Sequence, residues 1–225
     1  MKIIDITGPI YNGMWNYPEP LGSMLGNFKL ADFSFEYGGE KYSVESFEGF
    51  KAQTGTYLES PGKYLAEKYN VGDIPVGNLL MRNAYLFFIP FENLKEKDGK
   101  KYISAEDLKR AGSGEIAENS AVLVGTGYGS RWGQKDFFSG SWFFKKDAIQ
   151  YLIGLKPFLL GTDSAEWENP HDPEGIFKIF YPANIVILAP CINFELIRRF
   201  EVKLTVFPLK VAGSFISPVR AVVTY

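Results

Sequence analysis

Histidine and cysteine are almost missing from this chain of 225 residues, which holds one of each, His171 and Cys191. A structural zinc site built from cysteine and histidine needs about four such donors, so counting alone excludes one. No site with two imidazole ligands per chain can form either. A single cysteine makes no internal disulfide and fits a reducing cytoplasm, the location we expect. Neither sign of charge dominates: 24 basic residues against 26 acidic ones leave a net charge of −2. Nucleic-acid binding needs phosphate neutralisation by clustered Lys and Arg, and no such cluster is visible. No apolar run reaches the roughly 18 residues that span a bilayer. The opening MKIIDITGPI is too short and too polar for a signal peptide, so neither membrane nor nucleic acid is an expected partner.

Aromatic residues are plentiful, at 16% of the chain, with 19 Phe, 13 Tyr and 4 Trp. That suits a Phe-rich core, a large aromatic pocket or an apolar subunit interface. The hydrophobic fraction of 46% and charged fraction of 22% are those of an ordinary globular protein. The length allows a substantial core, and without internal repeats or low-complexity linkers we read residues 1–225 as one domain.

Residues 2–6 read as a short strand, followed by the loop GMWNYPEPLG with an exposed Trp15. Residues 33–37 and 41–50 alternate apolar and polar around Gly38-Gly39, a hairpin signal. Ser60-Pro61 supplies an N-cap and a first-turn proline, which predicts a helix over 61–69. Strands are expected at 84–89, 121–125, 158–160, 185–188, 202–207 and 219–224. Ser104 and Asp107 cap a helix that runs to about Arg110, and 144–153 has helical periodicity. The mixed-sign run Lys95-Glu96-Lys97-Asp98-Gly99-Lys100-Lys101 reads as a solvated loop. Strands alternating with helices through the middle, after an initial hairpin, indicate an α/β domain with a mixed sheet.

Five segments carry a resemblance to a known family: IIDITGPIYNGMWNYP, TGTYLESPGKYL, VLVGTGYGSRWG, FLLGTDSAEWENP and VFPLKVAGSFISPVRAVV. In order and spacing the chain resembles the cyclase family, which includes bacterial kynurenine formamidases and isatin hydrolases. The resemblance implies a swivelling β/β/α-type α/β fold and a homodimer or higher oligomer. It also implies metal-assisted hydrolysis of an amide or lactam, in which two divalent ions generate the attacking hydroxide.

Residue by residue, the carry-over of the ligand set fails. The family's His-Thr-Gly-Thr-His-x-Asp-x-Pro-x-His stretch falls on KAQTGTYLESPGKYL. Its first histidine becomes Gln53, its second Tyr57, its aspartate Glu59 and its last histidine Lys63. A downstream glutamate falls on Ala189, and no histidine lies in 176–179; His171, several residues earlier, replaces one only after a local rearrangement. Hard divalent ions need several oxygen or imidazole donors, whereas the ammonium of Lys63 repels a cation. The expectation is therefore no metal and no cofactor.

Three readings follow. In the first, Glu59 acts as general acid or base, Lys63 as an electrostatic clamp or amine, and Tyr57 and Gln53 as donors to an oxyanion, on a small carbonyl compound. In the second, a Glu59–Lys63 ion pair fills the vacated space and the protein binds a ligand or supports a partner subunit. The third is a metal-dependent hydrolase with shifted ligands. Among other candidates, Trp15 touches substrate or packs at an interface. Arg131 and Trp132 bind a carboxylate, cap a helix or meet a partner. Asp163, in Thr162-Asp163-Ser164, sits where a pocket wall is expected. Cys191 has no histidine partner and reads as packing.

Overall fold

The structure is a computed structural model and describes residues 1–19, 21–65 and 67–225. Its strands are β1 (Ile3–Asp5), the hairpin β2 (Lys29–Tyr37) and β3 (Glu40–Glu48), then β4 (Tyr57–Glu59) and β5 (Arg82–Phe88). A small hairpin β6 (Lys95–Lys97) and β7 (Lys100–Ile103) precedes β8 (Ala121–Gly125), β9 (Phe143–Phe144), β10 (Leu159–Thr162), β11 (Val186–Ala189), β12 (Glu201–Pro208) and β13 (Ile216–Thr224). The α-helices are α1 (Leu21–Leu25), α2 (Ala105–Ala111), α3 (Lys146–Gly154) and α4 (Ile176–Phe180).

One mixed sheet organises these elements. Its order is β1-β13-β12-β5-β8-β10-β11-β4, and β4 also pairs with β13, so the sheet closes on itself. The run β5-β8-β10-β11 is parallel, while β12, β13 and β4 complete the ring antiparallel. Parallel strands are covered on both faces, and here β8, β10 and β11 are buried at every position. The α/β class with a mixed sheet is as the sequence indicates.

Alternation along the strands divides the core in two. Leu58, Leu86, Leu123, Leu188, Val206 and Ala221 fill the closed sheet. Phe87, Val122, Val124, Leu160 and Ile187 face outward, under α2, α3 and the aromatic loops. Helix α2 is fixed by the expected capping box between Ser104 and Asp107. The turn Tyr128–Arg131 lies so close to the Cys191–Ile192 backbone that a Cβ on Gly129 would sit 2.6 Å from the Ile192 Cα.

Three local expectations need correction. Of the helix expected over 61–69, only the 3-10 turn Pro61–Lys63 forms; Ala66 in that span, like Pro20 in the expected loop, lies outside the described residues. The Ser60 hydroxyl caps nothing and instead donates to the Tyr69 carbonyl at 2.8 Å, pulling the chain back across the turn. The run 95–101 is not a loop but the β6–β7 hairpin, because Asp98 and Gly99 both take positive φ and close a tight turn. Trp15 is buried, edge-on to Trp132 at a centroid distance of 5.2 Å and beside Phe137 at 5.1 Å.

Gly129→Ala should destabilise the fold by roughly 1–3 kcal/mol, since backbone must move to admit one methyl. Urea unfolding followed by circular dichroism measures this; an unchanged midpoint would contradict the close packing.

Candidate functional site

The turn before β4 is held by its threonines. Thr54 Oγ1 accepts from the Lys51 amide at 2.8 Å, which closes a loop that turns through Gly55 at φ +74°. Thr56 Oγ1 donates to the Pro190 carbonyl at 2.7 Å and accepts from the Gly8 amide at 2.9 Å. These bonds fix the start of β4 against two other segments. Because Leu58 points into the closed sheet, Tyr57 and Glu59 must point out of it. In the β4–β11 ladder Glu59 lies opposite Ile187, and Tyr57 opposite Ala189. The turn Pro61–Lys63 then brings Lys63 over the same face.

A cleft of about 440 Å³ opens there, lined by Gln53, Tyr57, Glu59 and Lys63 together with Tyr17, Phe138, Trp167, Phe177 and Tyr181. Of these, Glu59 is only 2% exposed. Lys63 Nζ donates to Glu59 Oε2 at 2.7 Å, and Gln53 Nε2 to the same oxygen at 3.4 Å. The Tyr181 hydroxyl donates to Oε1. Both carboxylate oxygens are thus occupied by protein donors.

Three phenols surround this carboxylate. Burial pushes Tyr57 far above the ordinary phenol range, and the neighbouring Tyr17, Glu59 and Tyr181 push it further. Tyr181 is raised by burial and then by Glu59. Tyr17 is raised chiefly by burial, and its hydroxyl donates to the Gln53 carbonyl at 3.2 Å. A phenolate would be desolvated and would face Glu59, so each remains an O–H donor at neutral pH.

The opposite wall carries Glu166 and Glu168. Burial raises Glu166 above the usual carboxylate range, while its ion pair with Lys100 opposes the rise. Glu168 accepts from the Ile176 amide at 3.0 Å and from that of Gly175. Tyr181 stacks on Tyr64 at 5.2 Å and on Phe177 at 5.5 Å, which fixes the plane of its ring.

The other sequence candidates stand away from this cleft. Trp132 is buried and its indole N–H donates to the Pro9 carbonyl at 2.8 Å. Arg131 bonds to Gln134 and Asp136 on its own turn. Asp163 is buried at the end of β10, where it accepts from the Thr126 amide at 2.8 Å and the Trp142 indole at 3.1 Å. It ties the end of β8 to β10 and to the loop before β9. His171 is not among the lining residues. Sequence reasoning missed Tyr181 and Tyr17. Tyr181 lies two residues beyond the segment 176–179 in which the resemblance places a histidine. Among the described residues, no three His, Cys, Asp or Glu side chains gather as a metal would need.

A family model described as a putative cyclase matches residues 4–169. Among solved structures, an isatin hydrolase A from Labrenzia aggregata bound to benzyl benzoate has 17% identity and a TM-score of 0.80, covering 99% of this chain and 93% of that one. An isatin hydrolase bound to the product analogue thioisatinate has 18% identity and a TM-score of 0.78, covering 100% and 92%. A predicted metal-dependent hydrolase from Bacillus stearothermophilus has 21% identity and a TM-score of 0.72, covering 99% and 97%. No curated protein sequence matches the chain.

Asp163 generates a test of the frame. Burial raises its carboxyl to about 6, against an ordinary value of 3.8. The folded state therefore binds a proton more readily than the unfolded one, and stability falls as pH rises from about 4 to 6, by on the order of 3 kcal/mol. Asp163→Asn should flatten that part of the stability–pH curve; a curve still as steep would contradict the assignment.

Proposed function

Because this chain belongs to the cyclase family and has its hydrolase-like fold, we propose that it performs metal-independent acid–base chemistry on a small carbonyl compound. The observation that carries this reading is the convergence of Glu59, Lys63, Tyr57, Tyr181 and Gln53 on one open, aromatic-walled cleft. Cyclisation, dehydration and hydrolysis share one requirement: a base removes a proton while donors stabilise negative charge on a carbonyl oxygen.

Three observations support the loss of the ion site. Lys63 Nζ lies 2.7 Å from the one carboxylate in the inherited stretch, where a divalent ion would meet an ammonium. The other oxygen of that carboxylate accepts from Tyr181. Tyr57, held protonated, is a poor ligand at neutral pH. The donor set does not fit a hard divalent ion, and no step here runs through one.

In the reaction as we read it, the ligand's carbonyl enters the cleft and accepts hydrogen bonds from the Lys63 ammonium and the Tyr57 hydroxyl. Glu59 takes the proton from the adjacent carbon, or from the attacking hydroxyl. The electron pair that is released develops on the carbonyl oxygen, against those donors. When a group leaves, it takes its proton from the carboxyl just formed. The aromatic wall of buried Trp167 and half-buried Phe138 and Phe177 limits water around that charge.

A second reading is favoured by one observation. Gln53, Lys63 and Tyr181 already satisfy Glu59, a neutral network that holds together without substrate. In this reading the cleft binds a ligand, or the chain supports a partner, without turnover.

The test uses chelator-dialysed protein with a panel of lactones, cyclic imides, aryl amides and 3-hydroxy acids, followed by proton NMR in deuterated water. Turnover, or deuterium exchange beside a carbonyl, is the expected result. Lys63→Met should abolish it with the circular dichroism spectrum unchanged, and Tyr181→Phe should lower it by about 10- to 100-fold. Binding without either signal would favour the second reading. Full activity in Lys63→Met would remove the lysine from the mechanism.

A further inference from the structure

The loop between β10 and α4 forms one wall of the cleft and carries four acidic residues, Glu166, Glu168, Asp172 and Glu174. Three of them have a lysine partner: Glu166 pairs with Lys100, Asp172 with Lys97 and Glu174 with Lys145. Glu168 pairs with no cation among the described residues, and it is Glu168 that faces the cleft. Its Oε1 accepts from the Gly175 and Ile176 amides, which fixes the side chain, while its Oε2 accepts from no described residue. Glu59, across the cleft, already has Lys63. One carboxylate oxygen on the wall is thus held in place and left open.

Ring faces run beside it. Trp167 and Phe177 lie 6.4 Å apart at an interplanar angle of 25°, Phe177 and Tyr181 5.5 Å apart at 23°, and Tyr181 and Tyr64 5.2 Å apart at 7°. Near-parallel rings that brace one another make a rigid wall. An aromatic face is the negative end of a quadrupole and attracts a cation. The carboxylate attracts the same ligand through its full charge.

From this we infer that the cleft takes a small carbonyl compound bearing an organic ammonium group, with the ammonium against Glu168 and the rings of Trp167 and Phe177. The inference names the ligand class of the site proposed above and rests on that reading of the cleft. The two walls divide the ligand between them: Lys63 and Tyr57 meet the carbonyl oxygen, and Glu168 meets the cation. A volume of about 440 Å³ has room for both ends. A carboxylate-bearing compound fits less well, because the Lys63 ammonium is in contact with Glu59 at 2.7 Å and Glu168 repels a second negative charge. A divalent metal ion fits less well too, since it needs several oxygen donors and Glu168 has one to give.

The test is calorimetric titration of the full chain with three methyl ketones of equal chain length, ending in trimethylammonium, tert-butyl or carboxylate. The first two match in shape and differ only in charge. The trimethylammonium ketone should bind about 10-fold or more tighter than the tert-butyl ketone, and the carboxylate ketone weakest of all. Glu168→Gln keeps the acceptor for the two amides and removes the charge, so it should bring the first two ketones to within about 3-fold of each other. Circular dichroism shows whether that variant folds. If it does not, the wild-type preference is read instead as salt rises from about 20 to about 500 mM, where it should shrink. Equal affinities, a tighter carboxylate ketone, a preference that survives Glu168→Gln, or no binding of the ammonium ketone at ~5 mM would each overturn the inference. Binding is read without turnover. A chain that prefers the ammonium ketone yet converts nothing defeats the reaction proposed above and leaves this inference standing; turnover without that preference does the reverse.

Discussion

A buried carboxylate must have its charge met, and the cleft is organised around how Glu59 meets its own. Leaving a carboxylate unpaired at 2% exposure costs several kcal/mol. Lys63 and Gln53 satisfy one oxygen and Tyr181 the other. The three donors arrive from the turn after β4, the turn before it and the end of α4. Each is placed by other contacts: Lys63 by the turn that opens at Pro61, Gln53 by the Thr54 loop, Tyr181 by stacking between Tyr64 and Phe177. Removing any of them shifts load onto the other two. The phenols stay protonated chiefly because burial disfavours a phenolate, and the negative charge of Glu59 adds to that.

The frame around this carboxylate is that of the family. The closed sheet, with Leu58 inward and Tyr57 and Glu59 outward, positions residues 53–63 whatever their side chains are. Within that frame, Ala189 lies opposite Tyr57 in the ladder. The resemblance places a histidine at 57 and a glutamate at 189; alanine at 189 leaves room beside the Tyr57 ring. On the reading proposed here, the substitutions at 53, 57, 59, 63 and 189 act together. Lys63 supplies the positive charge that an ion would have supplied, and the phenol hydroxyls replace imidazole with donors.

The sequence made legible those features that a short stretch of chain decides by itself. The parallel strands read as unbroken apolar runs because both of their faces are covered, and all four appear in the sheet. The Gly38-Gly39 hairpin and the Ser104 capping box follow from local backbone chemistry, and both form. The stretch 53–63 was legible through its resemblance, and its four polar side chains do share one cleft. What long-range contacts decide was not legible. The helix over 61–69 failed because Ser60 bonds across to Tyr69 rather than to the first turn. Trp15 sits in a loop of polar, glycine-rich composition, yet Trp132 and Phe137, far along the chain, bury it. Tyr181 lies 122 positions from Glu59, and no local pattern joins them. Asp163, expected on a pocket wall, is drawn inward by Thr126 and Trp142.

The central claim is that Glu59 belongs to protein donors rather than to an ion, and calorimetric titration of chelator-stripped protein with zinc and with manganese tests it most directly. The account expects no stoichiometric uptake by the wild-type chain at neutral pH. Uptake of one or more equivalents that Glu59→Gln abolishes would contradict it.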